Sequence, residues 1–127
     1  MTGLGGESLV AFVATTDLAR AEAFYRDVLG LRHQGTNPFA SVFDANGTML
    51  RVTLVDERAQ AGYTVLGWRV DDIAATIAEL TGRGVEFHRY EGMGQDGLGV
   101  WTAPDGARIA WFSDPDGNTL SLSQFPG

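Results

Sequence analysis

Arg51 sits in the run Met49-Leu50-Arg51-Val52-Thr53-Leu54, a cation set among alternating apolar residues. An arginine projecting from such a segment needs an anion, because an unpaired charge away from water is costly. Its planar guanidinium can grip a ligand carboxylate, phosphate or enolate through two hydrogen bonds. It can equally pair with an internal acid such as Glu86 or Asp96, and the sequence leaves both roles open. The groups suited to proton transfer are Asp96, His88, Glu86 and Tyr90, and the last three share one parity along Val85–Tyr90. No Ser/His/Asp triad is legible. Gly92, Gly94 and Gly97 spell G-x-G-x-x-G, the nominal dinucleotide fingerprint. That chemistry requires a helix N-terminus behind the glycines, and Val100-Trp101-Thr102 followed by Pro104-Asp105-Gly106 reads as strand and turn instead. A nucleotide site is therefore rejected. Glu91 to Gly99 is expected to be a mobile loop, either closing Gln95 and Asp96 on a ligand or merely linking two strands.

The chain around these groups is 127 residues long, which suits one compact domain or two small modules sharing a core. Sixteen acidic against nine basic residues give a net charge of −7, which repels phosphate backbones and anionic lipid. Nucleic-acid and membrane partners are thus not expected. With no cysteine there is no disulfide, thiol nucleophile or thiolate-held metal. No apolar run reaches the roughly 20 residues of a membrane span, and Met1 to Ser8 carry no basic or apolar leader pattern. The expectation is a cytoplasmic protein.

The elements that must position the chemistry recur. Leu9 to Ala14 reads as a strand ending at Thr15-Thr16-Asp17, whose oxygens can cap a helix. Leu18, Ala21, Phe24/Tyr25 and Val28 then repeat at helical spacing up to a Gly30 stop, predicting a helix over Leu18 to Leu29. Leu31 onward, Phe39 to Phe43 and Met49 to Val55 read as strands, the last two joined through Asn46-Gly47, a hairpin signal. After a charged linker the order returns: strand Tyr63 to Val70, a helix behind Asp71-Asp72 with Ile73, Ile77 and Leu80 on one face, and strand Val85 to Tyr90. Ala107 to Phe112 and Thr119 to Phe125 complete the second set, across the turn Asp114-Pro115-Asp116-Gly117. Setting Asp17 against Asp72 pairs Val10 with Val65, and setting Gly47 against Gly117 pairs Leu50 with Leu120. The chain is a tandem of strand–helix–strand–strand–strand units: a single domain over 1–127, with a first module about 8–55, a linker about 56–62 and a second module about 63–125.

The fold class expected is α+β: two βαβββ modules forming a cup-shaped mixed sheet with helices on the convex side. Alternation sorts side chains between the faces. Leu50, Val52 and Leu54, with Leu120 and Leu122, belong under the helices. Phe12, Arg51, Thr53, Ser121 and Ser123 then line the concavity, with Val10, Val65 and Gly67. The ungapped alignment also places Ala40, Val42, Ala110 and Phe112 on the convex side, and Phe39, Ser41, Ile109 and Trp111 on the concave side. Trp111 and Phe39 supply an aromatic wall suited to a planar or apolar ligand. Trp68 is expected in the core, and pattern does not place Trp101.

Thr16-Asp17-Leu18, Phe24-Tyr25-Arg26-Asp27-Val28-Leu29-Gly30-Leu31 and Asp114-Pro115-Asp116-Gly117-Asn118 together resemble the vicinal oxygen chelate superfamily over essentially the whole chain. Its members include glyoxalase I, extradiol dioxygenases, fosfomycin-resistance transferases and bleomycin-resistance binding proteins. Metal enzymes of that superfamily carry His and Glu on the first and fourth strand of each unit. Those positions fall here on Val10, Arg51, Val65 and Ser121, a set that cannot hold a divalent metal. His33 and His88 lie off the ligand strands, so neither metal nor other cofactor is expected.

The resemblance thus implies metal-independent binding of an unidentified small organic ligand, of the bleomycin-resistance type. Candidate ligand contacts are Phe12, Phe39, Arg51, Thr53, Trp111, Ser121, Ser123 and Asp96. The rival expectation is a metal-free isomerase, lyase or cyclase using Arg51 with Asp96, His88 or Glu86. A glyoxalase-like or dioxygenase-like metalloenzyme ranks third. Whether the protein turns over a substrate is left open, and the resemblance implies a homodimer.

Overall fold

The computed structural model describes residues 3–57 and 61–127. The chain forms two compact units, Met1–Arg58 and Ala59–Gly127, dividing inside the stretch expected to be a linker. Each is a βαβββ module with one four-stranded mixed sheet. Among the described residues no helix is long and apolar enough to cross a membrane.

In the first unit, β1 (Val10–Thr15) leads into α1 (Leu18–Ala23). Asp17 starts the helix, its carboxylate accepting from the Arg20 amide at 3.1 Å. The expected helix to Leu29 changes pitch instead. Residues Phe24–Val28 form a π-helical turn, in which the Leu29 amide donates to the Phe24 carbonyl. The wider turn seats Tyr25, which is wholly buried, beside Phe24 and Phe43 at ring distances of 5.2 and 6.0 Å. Gly30 ends it with a φ of 74°.

Strands β2 (Arg32–Thr36), β3 (Ala40–Ala45) and β4 (Thr48–Leu54) complete the sheet in the order β1-β4-β3-β2, with β1 and β4 parallel. The β3–β4 hairpin turns on Asn46 and Gly47, both at positive φ (51° and 93°), as a two-residue loop of this hand requires. Register overturns one expectation about faces. Ser41 lies opposite Val52 and Phe43 opposite Leu50, so Ser41 and Phe43 face the helix while Ala40 and Val42 join Thr53 and Arg51 on the open face. Phe39, whose carbonyl accepts from the Leu54 amide, shares the parity of Ser41 and does not line the open face. A one-residue slip moves every side chain of a strand to the other side.

Under α1 this slip assembles a polar cluster. The Glu22 carboxylate accepts from the Thr36 hydroxyl, lies 3.1 Å from His33 Nε2 and pairs with Arg26 at 3.2 Å, while the buried Ser41 hydroxyl meets Thr36 and His33 at 3.0 and 3.2 Å. The Thr36 hydrogen bond, helped by the His33 and Arg26 charges and outweighing burial, holds the Glu22 carboxyl below the usual carboxylate range. A carboxyl whose pKa is lower folded than unfolded stabilises the protein above its unfolded value and loses that contribution as pH falls through its folded value. Glu22→Gln is therefore expected to flatten the acid limb. Urea midpoints of the wild type should drop more than those of the variant between about pH 5 and pH 3, and equal drops would remove Glu22 from the acid response.

In the second unit β5 (Leu66–Arg69) leads into α2 (Ile73–Gly82), begun by the Asp72 carboxylate accepting from the Ala75 amide at 3.1 Å. The Gln124 side chain, at the end of the last strand, accepts from the Ile73 amide at 2.8 Å. Strands β6 (Trp101–Thr102), β7 (Arg108–Ser113) and β8 (Thr119–Gln124) give the order β5-β8-β7-β6, the topology of the first unit. Phe112, Leu120 and Leu122 pack under α2 with Ile73, Ile77 and Leu80, as alternation predicts. The expected strand Val85–Tyr90 is not part of the sheet. It runs beside β7 with one backbone bond, from the His88 amide to the Trp111 carbonyl, and β6 takes the edge pairing. Trp68 is half-buried on β5 and not a core residue.

Candidate functional site

The open face of the second sheet carries the richest group of side chains. Trp111 lies opposite Ser121 on β8, and Ile109 lies opposite Ser123 and, on the other side, Trp101 of β6. Register thus places Trp101 with Trp111, and their rings stand 6.2 Å apart. From the adjoining Val85–Tyr90 segment, Phe87 turns inward to Phe112 (5.3 Å between rings), so alternation sends His88 and Tyr90 outward. Tyr90 meets Trp111 edge-on at 5.6 Å and 81°, and His88 stands 5.9 Å from Tyr90 at 80°.

These residues wall a cavity of about 440 Å³. Tyr63, His88, Tyr90, Met93, Trp111 and Ser113 line it, and Thr64 and Thr119 add hydroxyls. His88 is fixed at both nitrogens: Nε2 lies 2.9 Å from Ser113 Oγ and Nδ1 lies 3.1 Å from the Tyr90 hydroxyl. The arrangement can stack a flat or apolar body on Trp111 and Tyr90 while offering an imidazole and hydroxyls to its polar edge.

The segment holding His88 lacks a sheet ladder, and Gln95 replaces it. Its amide nitrogen donates to the His88 and Gly99 carbonyls (2.9 and 2.7 Å), and its oxygen accepts from the Tyr90 amide (2.7 Å). Arg89 adds hydrogen bonds to the Asp96 and Gly97 carbonyls. In the loop Glu91–Gly99, expected either to close Gln95 and Asp96 on a ligand or merely to link two strands, the Gln95 side chain is engaged with His88, Tyr90 and Gly99. Gln95→Ala is expected to speed exchange of the Tyr90 amide at least about tenfold while lowering global stability by only about 1–2 kcal/mol, as read by native-state hydrogen exchange. Unchanged exchange at Tyr90 would deny Gln95 this bracing role.

Asp96, a candidate ligand contact and proton-transfer group, does not line this cavity. Its carboxylate accepts from the Leu98 and Val100 amides at 2.9 and 3.0 Å and lies 3.7 Å from Arg108. The Val100 amide, then that of Leu98, with Arg108 and Arg89 nearby, keeps its pKa below the ordinary aspartate value. Glu86 shares the outward parity of His88 but is exposed and does not line the cavity. Ser121 is buried opposite Gly67 and Trp111, where a β-carbon on Gly67 would come within 2.7 Å of its hydroxyl. Neither Ser121 nor Ser123 lines the cavity.

On the first sheet, Phe12 lies opposite Arg51, and Val42 flanks Arg51 on the other side. Phe12, 61% exposed, and Thr53 line a shallow apolar recess of about 250 Å³ with Val13 and Ala14. Arg51 has no hydrogen-bond or ion-pair partner among the described residues, which leaves its guanidinium able to meet an anion.

Of the expected ligand contacts the second-unit cavity holds Trp111, and of the proton-transfer candidates it holds His88. Tyr90, a second proton-transfer candidate, joins them. Ser113 was missed, although it shares the parity of Trp111 two positions earlier. Tyr63, Thr64 and Met93 come from irregular segments, where alternation gives no signal.

The four positions that the resemblance equates with metal ligands, Val10, Arg51, Val65 and Ser121, are two aliphatics, a cation and a hydroxyl. Among the described residues no three His, Asp or Glu side chains are grouped to hold a metal. This donor set does not fit a divalent cation.

The sequence signature of the Glyoxalase/Bleomycin resistance protein/Dioxygenase superfamily matches residues 9–122. No curated protein matches the sequence significantly. Similar solved structures include a lactoylglutathione lyase from Agrobacterium tumefaciens, 21% identical with a TM-score of 0.74 and 96% of each chain covered. A superfamily member from Sphaerobacter thermophilus is 28% identical over 94% of this chain and 97% of that one, at a TM-score of 0.73. A genomically encoded fosfomycin resistance protein from Listeria monocytogenes shares 15% identity over 99% of this chain and 95% of that one, at a TM-score of 0.74.

Proposed function

The chain belongs to the Glyoxalase/Bleomycin resistance protein/Dioxygenase superfamily, and from that premise we propose that it binds a small organic molecule, without a metal, in the cavity of its second unit. The superfamily fold hosts several chemistries, so the reading rests on the site and not on membership. The observation that carries it is the right-angled pair Tyr90 and Trp111, 5.6 Å apart, bordering a cavity whose polar groups are an imidazole and hydroxyls. Such a surface favours a planar or apolar body with one hydrogen-bonding edge.

Titration with indole, a neutral planar probe, tests this through the Trp111 indole resonance in heteronuclear NMR spectra. Saturable shifts at Trp111, unchanged by EDTA, with the affinity weakened at least about tenfold in Trp111→Ala as followed at the Tyr90 backbone amide, support the reading. Shifts that require added metal, or none at Trp111, refute it.

A second reading rests on His88. An imidazole hydrogen-bonded to the Ser113 and Tyr90 hydroxyls at the cavity edge can exchange a proton with a bound ligand through either hydroxyl, as a metal-free isomerase or lyase requires. Turnover that is lost in His88→Gln while indole affinity stays unchanged would favour this enzyme over simple sequestration.

A further inference from the structure

We infer that the cavity of the second unit takes a soft organic cation, a quaternary ammonium or an N-alkylated heteroaromatic group. This rests on the proposal that the cavity is a binding site and names the class of its ligand.

Three rings, those of Tyr63, Tyr90 and Trp111, border the space with the Met93 thioether. Tyr90 and Trp111 stand at 81°, so a group lodged in their corner meets two aromatic walls from different directions. Ring faces are electron-rich and attract cations, and alkylated cations that shed water easily gain most. Among the described residues the lining contains no arginine that would favour an anion. It also contains no carboxylate, so a compact, strongly hydrated primary ammonium would lose water there without an anionic partner. A diffuse cation whose charge is spread over methyl groups avoids that loss. The hydroxyls of Ser113 and Thr119 remain for a polar substituent.

The field around the unit has the matching sign. From residue 59 onward the chain carries nine acidic residues against four arginines, so most of its net negative charge lies in this half. Those acids sit outside the cavity and raise the local concentration of cations without binding them directly.

The test compares choline with its neutral carbon isostere, neohexyl alcohol, which has the same shape without the charge. Titrations of the full chain follow the Trp111 indole resonance, with indole as a third probe. Choline is expected to bind about tenfold more tightly than the alcohol, equivalent to about 1.4 kcal/mol. Tyr90→Leu should abolish that preference, whereas Tyr90→Phe, which keeps the ring and loses only the hydroxyl, should retain it. Equal affinity for choline and the alcohol, or a preference that survives in Tyr90→Leu, overturns the assignment. If indole binds and choline does not, the cation is wrong and the cavity remains a binding site. If none of the three shifts the resonance, both readings fall.

Discussion

Replacing Phe43 by alanine is expected to destabilise the protein by about 3–5 kcal/mol, whereas Val42→Ala, one position earlier, is expected to cost about 1 kcal/mol or less. Phe43 is wholly buried, opposite Leu50, with the Tyr25 ring 6.0 Å and the His33 ring 5.1 Å away. Truncation deletes its contacts and leaves a space that a close-packed sheet and helix fill only partly. Val42 lies on the open face beside Arg51 and is half-buried. Against a typical total of about 5–15 kcal/mol, the Phe43 loss removes a large share of the stability, and the Val42 loss is barely felt. Urea unfolding of the two variants reads the difference. If Val42→Ala were the more damaging, the register of β3 would be wrong by one residue.

That register is also where alternation in the sequence misleads. Apolar runs, helix-capping aspartates and turn glycines expose both modules, because each signal is local and repeats. Face assignment on β3 instead depends on the length of the connection. From Phe43 to Leu50 the hairpin takes seven steps through a two-residue loop, and from Phe112 to Leu120 it takes eight through a five-residue loop. An ungapped alignment of the two turns must therefore misplace one strand, and it misplaces Phe39, Ala40, Ser41 and Val42. Val85–Tyr90 misleads differently: its alternation is real, since Phe87 packs inward and His88 outward, but the edge of β7 is taken by Trp101–Thr102. Alternation reports which side faces the core and not which strand supplies the hydrogen bonds. Asp96 shows the limit for chemistry. A carboxylate in a glycine-rich loop reads as available, yet such loops leave amides unpaired, and the nearest acid satisfies them.

Asp114→Ala is expected to destabilise the protein by about 3 kcal/mol and to abolish indole binding at the second-unit cavity. The Asp114 carboxylate is nearly buried and braces the turn between β7 and β8 alongside the backbone bonds from the Asp114 amide to the Asn118 carbonyl and from the Gly117 amide to the Asp114 carbonyl. One oxygen accepts from the Asp116 and Asn118 amides at 3.0 and 2.9 Å, and the other accepts from the Asn118 side chain at 2.8 Å. Alanine removes the acceptor that these three donors share, and losing hydrogen bonds to a nearly buried carboxylate costs about 1–3 kcal/mol each, partly recovered where water reaches the donor. The turn also carries Gly117 and leads directly into Thr119, both of which line the cavity, while Ser113 immediately before it holds His88. Losing the carboxylate thus disturbs the fold and the site through the same five residues. Asp114→Asn separates the two effects. Its oxygen can keep both backbone donors, but its amino group faces the Asn118 amide nitrogen, donor against donor, so it should cost only about 1–2 kcal/mol. Indole binding should then survive, weakened by less than about tenfold. Urea midpoints and indole titrations on both variants measure this, and an alanine variant that binds like the wild type would show that the turn does not shape the cavity.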